Sequence, residues 1–311
     1  MFLLRGIAIA LTCFVLLYSL VSLAVAFGWR LADRWRVSPR FRADLLFWLR
    51  IAPLLTASTI TLALIVPAYV RLEPRSIEEE MALPAVLSVG CLLLFALGIF
   101  RVVKAQRKSA RVVESWMTRA DSLDTGISTP AFQTANDAPP LTLVGVFSPK
   151  VVVSRATVAL LETDELRVAM QHEVAHMRFH DNLKKLLFYC SPFPHMSELE
   201  SAWAEAAEVA ADEEAVTSLR DALDLAAALI KLARQLPPKP APAFTMALLE
   251  SEKPLIERIR RLLAWRAAPS HPAQRVWKFV FLGLAVTCLL SLATYLPALI
   301  QIHRVTEWLV L

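Results

Sequence analysis

Four long stretches of the chain contain almost no polar or charged positions. They cover roughly residues 6–28, 51–70, 81–100 and 279–300. A helix of about 20 apolar residues is long enough to cross the hydrocarbon core of a bilayer. The hydrophobic fraction of 56% and the mean hydropathy of +0.50 agree with this, since soluble domains contain about 45–50% apolar residues. The pattern therefore predicts an α-helical integral membrane protein with four transmembrane helices.

The first stretch has a second interpretation, a secretory signal peptide, because Ala24-Val25-Ala26 resembles a cleavage site. Its apolar core is long for a signal peptide, and Arg5 is the only positive charge that precedes it. We therefore expect an uncleaved transmembrane helix.

Basic residues flank the apolar stretches on alternate sides. The loop 29–50 contains six arginines, and Lys and Arg also follow the third stretch and precede the fourth, whereas the loop 71–80 is mainly acidic. Lys and Arg in short loops collect on the cytoplasmic side. We therefore expect a multi-pass protein of a bacterial-type inner (plasma) membrane, with its amino terminus outside, residues 101–278 inside and the tail 301–311 outside.

The same charges indicate which partners to expect. A net charge of +5 would suit a nucleic-acid-binding protein, but the basic residues follow the apolar stretches and do not form one face of a domain. We expect the lipid bilayer to be their partner, with anionic headgroups beside the arginines, and no direct contact with nucleic acid.

This topology divides the chain into three parts. Residues 1–101 form transmembrane helices 1–3 with short loops, residues 102–278 form a cytoplasmic domain, and residues 279–311 form transmembrane helix 4 and a short extracytoplasmic tail. The middle part is long enough for a domain with its own core.

The middle part is predicted to be a mainly helical α+β domain with a small β-hairpin. Its expected elements are a helix at 102–120, a loop at 121–140, strands at 141–146 and 150–154, a helix with Thr163 as N-cap that runs to Leu187, helices at 198–218 and 219–236, a Pro-rich linker at 237–243, and a basic amphipathic helix at 254–266 suited to a membrane surface.

The sequence HEVAH, residues 172–176, places two histidines and a glutamate on the helix that begins after Thr163. Residues i and i+4 of a helix share a face, so His172 and His176 present two imidazoles in a geometry that a tetrahedral zinc ion accepts. Glu173 lies beside them, where it can act as general base towards a zinc-bound water that serves as nucleophile. The motif is short enough to arise by chance on a solvated helix. Its apolar neighbours instead predict a buried helix, in which these polar groups need a partner.

A third ligand has to come from another part of the chain. The metzincin pattern is absent, because Phe179 and Asn182 stand where that class has a glycine and a third histidine. His180 lies i+4 from His176, but on a straight helix it is about 12 Å along the axis from His172. We therefore expect His180 to support a ligand, or to lie at an interface, and not to bind the ion.

A carboxylate from the next helix is the remaining choice. Segment 205–215 offers five acidic side chains, of which Glu208 and Asp212 share one face among alanines that permit close helix packing. This arrangement suggests that Glu208 binds the metal and that Asp212 orients a histidine through its free ring nitrogen. The competing interpretation is a solvated acidic helix. Asp181 has the same two alternatives, an orienting partner of a ligand or a surface residue.

Three segments, in this order, resemble the membrane-bound zinc metallopeptidases of the BlaR/MecR type, the antirepressor and signal-transducer peptidases of β-lactam resistance and their relatives. VGVFSPKVVVSRATVALLETDELRVAMQHEVAHMRFHDNL (144–183) is similar to the family's core, EVAADEEAV (208–216) to its E-x-x-C/A-D segment, and ERIRRLL (257–263) to a downstream basic helix. Four membrane helices, with the peptidase segment between the third and the fourth, are also the layout of that family.

The resemblance implies a gluzincin-like metallopeptidase domain with Zn²⁺ as its cofactor. By this resemblance His172, His176 and Glu208 match the family's zinc ligands, and Glu173 matches its catalytic glutamate. It also implies an endopeptidase that cleaves a cytosolic or membrane-proximal protein in a signalling pathway, such as a transcriptional repressor or the enzyme itself.

Two features depart from the family's pattern. Family members often have an acid two residues before the third ligand, where this chain has Ala206. Only 11 residues follow the fourth apolar stretch, so we expect the penicillin-sensing domain of the transducers to be absent.

Two other functions stay open. Quality-control or processing peptidases of the HtpX or CAAX-protease type also use HExxH, but they carry membrane spans between or after their ligand helices. Here segment 183–194 is too short, and too broken by Pro192 and Pro194, to cross a membrane. A non-catalytic receptor or scaffold would use a structural metal site closed by a fourth ligand, and no fourth Cys or His stands at ligand spacing.

Overall fold

Three long apolar helices form the membrane-facing part of the protein. The computed structural model describes residues 2–33, 37–73, 82–123, 129–135, 138–235, 245–247, 252–266 and 282–310 without 284, 292 and 293. Within these residues α1 (Phe2–Asp33), α2 (Pro39–Leu72) and α3 (Ala82–Met117) are long and apolar enough to cross a membrane. They correspond to the first three predicted spans. The fourth, 279–300, lies partly outside the described residues, as do the predicted linker 237–243 and most of the predicted outer loop 71–80.

Helix α2 begins with a typical start signal and contains one irregular turn. The Ser38 hydroxyl accepts a hydrogen bond from the backbone N–H of Phe41 at 3.3 Å, which caps the helix. A π-helical turn at Thr61–Ile65 precedes Pro67, whose ring nitrogen cannot donate a backbone hydrogen bond. Helix α3 continues without a break past residue 101, so the predicted domain boundary falls inside one helix.

Beyond α3 the described chain contains a small sheet with helices packed around it, and a carboxy-terminal helix that packs on α1 and α2. Its elements are β1 (Asp121–Leu123), β2 (Ala131–Thr134), β3 (Leu141–Val144), β4 (Lys150–Ser154), α4 (Arg155–Leu160), α5 (Thr163–Phe179), α6 (Asp181–Cys190), α7 (Ser197–Ala215), α8 (Leu219–Gln235), β5 (Thr245–Ala247), α9 (Glu252–Leu263) and α10 (Leu296–Val310). The chain is therefore mainly helical, as predicted.

The predicted hairpin is present as β3 and β4, with Leu143 opposite Val151. It belongs to a five-stranded sheet in the order β1-β2-β4-β3-β5, in which β2 and β4 are parallel and the other pairs are antiparallel. The prediction of a loop at 121–140 was therefore wrong where β1 and β2 lie. In the turn after β3, Gly145 has φ 93°, and a Cβ there would lie 2.8 Å from the Ser148 carbonyl oxygen, so glycine suits this position.

One apolar core joins the sheet to the helices that carry the candidate chemistry. Its buried members include Leu141, Leu143, Val151 and Val153 of the sheet, Val168, Ala169 and Met170 of α5, Ala222, Leu225, Ala226, Leu229 and Leu232 of α8, and Leu262 of α9. Helix α5 packs on the sheet on one side and on α8 on another. Contacts with both elements therefore fix its position.

The single helix predicted from Thr163 to Leu187 consists of two helices. Its first part begins one residue earlier than expected, because Glu162 is the N-cap and its backbone N–H donates to the Glu165 carboxylate at 2.9 Å. At His180 the backbone is left-handed, with φ 56° and ψ 37°. An α-helix cannot continue through this conformation, so α6 starts in a new direction.

The segment after α6 lies between the membrane helices. The Tyr18 hydroxyl, near the middle of α1, donates to the Pro192 carbonyl oxygen at 3.2 Å, and the Tyr18 and Phe193 rings meet edge-on at 5.8 Å. A Cβ on Gly98 of α3 would lie only 2.6 Å from the Cys190 carbonyl oxygen. The turn therefore lies within the bundle of α1, α2 and α3.

A buried arginine of α2 holds this turn. Arg50 donates to the carbonyl oxygens of Phe188 at 3.2 Å and Ser191 at 2.8 Å, and to the Glu200 carboxylate at 2.8 Å. The last carbonyls of a helix have no partner within it, so the guanidinium satisfies the end of α6 and fixes α6 and α7 to α2.

Two carboxy-terminal helices differ from expectation. Leu255, Ile259 and Leu262 of α9 pack on the domain core, so the apolar face of this helix meets the protein instead of a membrane surface. Helix α10 continues to Val310, and the predicted tail is therefore helical. His303 Nε2 of α10 lies 3.6 Å from Glu73 Oε2 at the end of α2.

Candidate metal centre

His172 and His176 lie on the buried face of α5, one turn apart. Neither side chain is exposed. Their Nε2 atoms are 3.1 Å apart and their rings are nearly perpendicular. The i, i+4 spacing thus brings two imidazole nitrogens to one point, as the sequence predicted.

Glu208 of α7 reaches the same point. Its Oε1 lies 3.3 Å from His176 Nε2, and its Oε2 lies 3.5 Å from His172 Nε2. The two helices approach closely because Ala210 and Ala211 pack on Ala175 and Phe179 of α5. The ligand atoms of the two histidines and Glu208 lie within 4.8 Å of one another and form a group that could hold a metal ion.

The spacing of these atoms fits a tetrahedral ion. Ligand atoms at about 2.0–2.1 Å from zinc, arranged tetrahedrally, lie about 3.3 Å from one another. The two Nε2 atoms are 3.1 Å apart, and each has one Glu208 oxygen at a similar distance, Oε1 at 3.3 Å from His176 and Oε2 at 3.5 Å from His172. The side chains therefore leave room for an ion between them without rearrangement of the backbone.

Each histidine has a carboxylate on its other ring nitrogen. His172 Nδ1 lies 2.9 Å from Asp212 Oδ1, and His176 Nδ1 lies 2.8 Å from Asp181 Oδ2. Such partners fix the tautomer in which Nε2 has a free lone pair for a metal. Asp181 is five residues beyond His176, about 140° round a straight helix. The left-handed backbone at His180 is what returns Asp181 to the ring.

His180 itself lies apart from the cluster. Its side chain is exposed, whereas the other six predicted site residues are buried. The expectation that its side chain supports a ligand was therefore wrong, because its contribution is made by its backbone conformation. The other acidic candidates on α7, Glu205, Glu213 and Glu214, are exposed as well.

Sequence reasoning missed Arg258 of α9, which is almost fully buried beside the cluster. Its Nε and Nη2 each lie 2.7 Å from the Asp212 carboxylate, and its Nη1 lies 2.7 Å from Glu208 Oε2. One signal could have found it. Arg258 stands on the apolar stripe of Leu255, Ile259 and Leu262, and an arginine on the core-facing stripe of a helix needs a buried acidic partner.

The buried charges of the site favour a divalent cation. Glu173, Glu208, Asp181 and Asp212 are four buried carboxylates, and Arg258 and Lys184 are the two buried cations that contact them among the described residues. When all four carboxylates are ionised, this leaves a surplus of two negative charges. Buried charges have to be balanced, and a divalent ion between the three candidate ligands would balance them.

The pKa values of the histidines reflect the same surplus. Burial disfavours a charged imidazole, yet Glu208 and Asp181 outweigh burial and raise the pKa of His176 to about 10. Asp212 and Glu208 likewise raise the pKa of His172 against the effect of burial. Protons thus supply positive charge when no cation is bound, and metal binding has to displace them.

Glu173 is fully buried next to the ligands, and apart from a backbone group of Leu143 that slightly lowers its pKa, its oxygens have no hydrogen-bond partner among the described residues. Burial raises the pKa of its carboxyl to about 7, against smaller opposing effects of His172 and His176. A carboxylate with a pKa near neutrality can both accept and return a proton, which suits general acid–base chemistry.

A sequence model of the family described as BlaR1 peptidase M56 matches residues 52–262, which are 211 of the 311 residues. No curated protein matches the chain. The chain therefore belongs to the BlaR1 peptidase M56 family, a family of peptidases, and it combines membrane-spanning helices with a candidate metal site.

Proposed function

We propose that this member of the BlaR1 peptidase M56 family is a membrane-embedded zinc endopeptidase that hydrolyses peptide bonds of a protein. The observation that carries the proposal is the convergence of His172, His176 and Glu208 on one point, with the buried carboxylate of Glu173 beside them. Zinc is the ion that two histidines and one glutamate around an open position suit best.

Each side chain has a separate task in this proposal. A divalent cation at this point would lower the pKa of a bound water and polarise the carbonyl of the substrate. Glu173 takes the proton from the attacking water and returns it to the leaving amine. Asp212 and Asp181 hold the two imidazoles in the tautomer that leaves Nε2 free. The buried surroundings exclude other water from Glu173.

The sheet offers a place for the substrate backbone. Strand β5 pairs antiparallel with β3, with Met246 opposite Leu143, and a backbone group of Leu143 lies close enough to Glu173 to influence its pKa. An edge that accepts β5 is suited to hold an extended peptide by strand addition. We therefore propose that the substrate lies extended along this side of β3 in place of the three-residue strand β5, with the peptide bond to be cleaved near Glu173.

We propose that the site faces the cytoplasm. The arginine-rich ends of α1 and α2 contact the helices of the site, through Arg30 with Glu198 and Arg50 with Glu200. Lys and Arg collect on the cytoplasmic side of membrane proteins. The substrate would then be a cytosolic or membrane-proximal protein, such as a transcriptional repressor or this chain itself, cleaved in a signalling pathway.

The proposal is tested with the full chain in lipid nanodiscs, with Zn²⁺ added and an unstructured protein as substrate. Wild type is compared with Glu173→Gln, and Glu205→Gln is the matched control because that carboxylate is exposed on α7. We expect Glu173→Gln to fold, to bind zinc and to lose at least about 100-fold in cleavage rate. Undiminished cleavage by Glu173→Gln would refute the assignment of the base. One bound zinc without any cleavage by the wild type would instead favour a structural metal.

A further inference from the structure

Helix α2 contacts the joint between the two helices that hold the site. Arg40, Asp44 and Phe47 occupy positions i, i+4 and i+7 of α2 and therefore share one face. The Arg40 guanidinium lies 3.7 Å from the centroid of the Phe179 ring, at the end of α5. Asp44 and Phe47 contact Lys184 of α6. This face of a membrane helix thus touches both sides of the left-handed turn between α5 and α6.

Lys184 lies between a membrane helix and the site. Its Nζ is 3.0 Å from Asp181 Oδ1 and 3.6 Å from Asp44 Oδ1, and it lies 5.6 Å from the centroid of the Phe47 ring. The residue is 8% exposed. A buried ammonium group needs acidic partners, so Lys184 is held by a carboxylate on each side.

Asp181 connects this lysine to the metal ligand. Asp181 Oδ1 accepts a hydrogen bond from Lys184 Nζ, and Asp181 Oδ2 lies 2.8 Å from His176 Nδ1. A continuous series of polar contacts therefore runs from Asp44 through Lys184 and Asp181 to His176. The described residues contain no comparable series from α1 or α3 to the ligands.

We propose that Asp44 and Lys184 are positioning residues that couple helix α2 to the metal centre. The inference rests on the proposed function, because it takes His176 to be a metal ligand. Asp44, whose Oδ1 also lies 3.2 Å from Arg40 Nη2, shares the charge of Lys184 with Asp181. When α2 moves away, Lys184 is drawn entirely to Asp181, which then binds the His176 ring less well. The position of a transmembrane helix thereby sets the affinity for the metal, which gives a signal from the membrane a physical route to the site.

The test measures zinc affinity by competition with a chelator, and the visible spectrum of the Co²⁺-substituted protein, on the full chain in nanodiscs. Asp44→Asn and Lys184→Met are the test variants. Loss of a group that orients a ligand lowers metal affinity about 10–100-fold, and we expect about 10-fold for both. We also expect both to shift the Co²⁺ absorption bands, which depend on ligand geometry.

Two further sets of variants separate positioning from general destabilisation. Asp44→Glu and Lys184→Arg keep each charge, and we expect them to regain at least part of the affinity. Glu200→Gln is the matched control, because it weakens another ion pair between α2 and the site helices that does not reach a ligand. We expect its affinity and Co²⁺ spectrum to equal those of wild type.

Wild-type affinity and spectrum in Asp44→Asn would overturn the inference, even if Lys184→Met were affected. An equal loss in Glu200→Gln would overturn it as well, because general loosening would then explain the effect. These results differ from a failure of the proposed function, in which the wild type itself would bind no zinc or would cleave no protein.

Discussion

Replacement of Glu173 by glutamine should change how the stability of the metal-free protein depends on pH. Burial raises the pKa of this carboxyl from 4.5 to about 7 in the folded chain. Because the folded state favours the protonated form, the stabilisation is complete below pH 4.5 and is lost as the pH rises through 7. Glutamine resembles the protonated acid in shape and charge and does not titrate. The unfolding free energy of the variant therefore does not fall with rising pH at this position.

The magnitude follows from the two pKa values. The difference between 4.5 and about 7 corresponds to about 3 kcal/mol of unfolding free energy. We therefore expect wild type and Glu173→Gln to be equally stable near pH 4.5, and the variant to be more stable by about 3 kcal/mol at pH 8.5. Groups that do not interact with Glu173 contribute equally and cancel in the comparison, whereas His172, His176 and Glu208 titrate together with it.

The assay is equilibrium unfolding in detergent micelles with a chelator present, at several pH values between 4.5 and 8.5. Glu205→Gln is the control, and we expect its difference from wild type to stay small throughout because that side chain is exposed. A constant difference between wild type and Glu173→Gln over the whole range would refute the argument that burial holds this carboxyl near neutrality.

Substitutions at three other positions, Arg258, His180 and Gly98, test how the site and the bundle are held. Arg258→Met should lower the unfolding free energy of the metal-free protein by about 3–5 kcal/mol, and by less when Asp212→Asn is also present, as a double-mutant cycle in denaturant would measure. His180→Gly should keep wild-type zinc affinity in chelator competition, whereas His180→Val should lose affinity because a β-branched residue at φ 56° is strained. Gly98→Ala should lower the midpoint of thermal unfolding, since its Cβ would lie 2.6 Å from the last carbonyl oxygen of α6. Gly90→Ala, with no atom within 4 Å of its Cβ, should leave that midpoint unchanged or slightly raised.

Local spacing made much of the site predictable. His172 and His176 are related by one helical turn, and Glu208 and Asp212 by another, so their shared faces follow from 3.6 residues per turn. The alanines on α7 indicated close contact with α5, and Ala210 and Ala211 do pack there. The long apolar stretches predicted the first three membrane helices for a similar reason, because length and composition alone decide whether a helix can span a bilayer.

Features that depend on distant contacts were not predictable in the same way. Arg258 is 46 residues from Asp212 in the chain, and only its place on an apolar stripe pointed to a buried partner. Nothing such as Gly or Pro marks the break at His180, whose left-handed backbone depends on how α6 packs. Strands β1, β2 and β5 have three or four residues each, too few to display an alternating pattern.

X-ray absorption at the zinc edge, on the purified full chain with one equivalent of Zn²⁺, tests the central claim most directly. We expect four nitrogen or oxygen neighbours at about 2.0–2.2 Å, with the outer-shell scattering of two imidazoles. Scattering from one imidazole should disappear in His176→Ala, and the nearest shell should change in Glu208→Ala. A six-oxygen shell without imidazole scattering, or wild-type spectra in both variants, would contradict the claim that these side chains bind the metal.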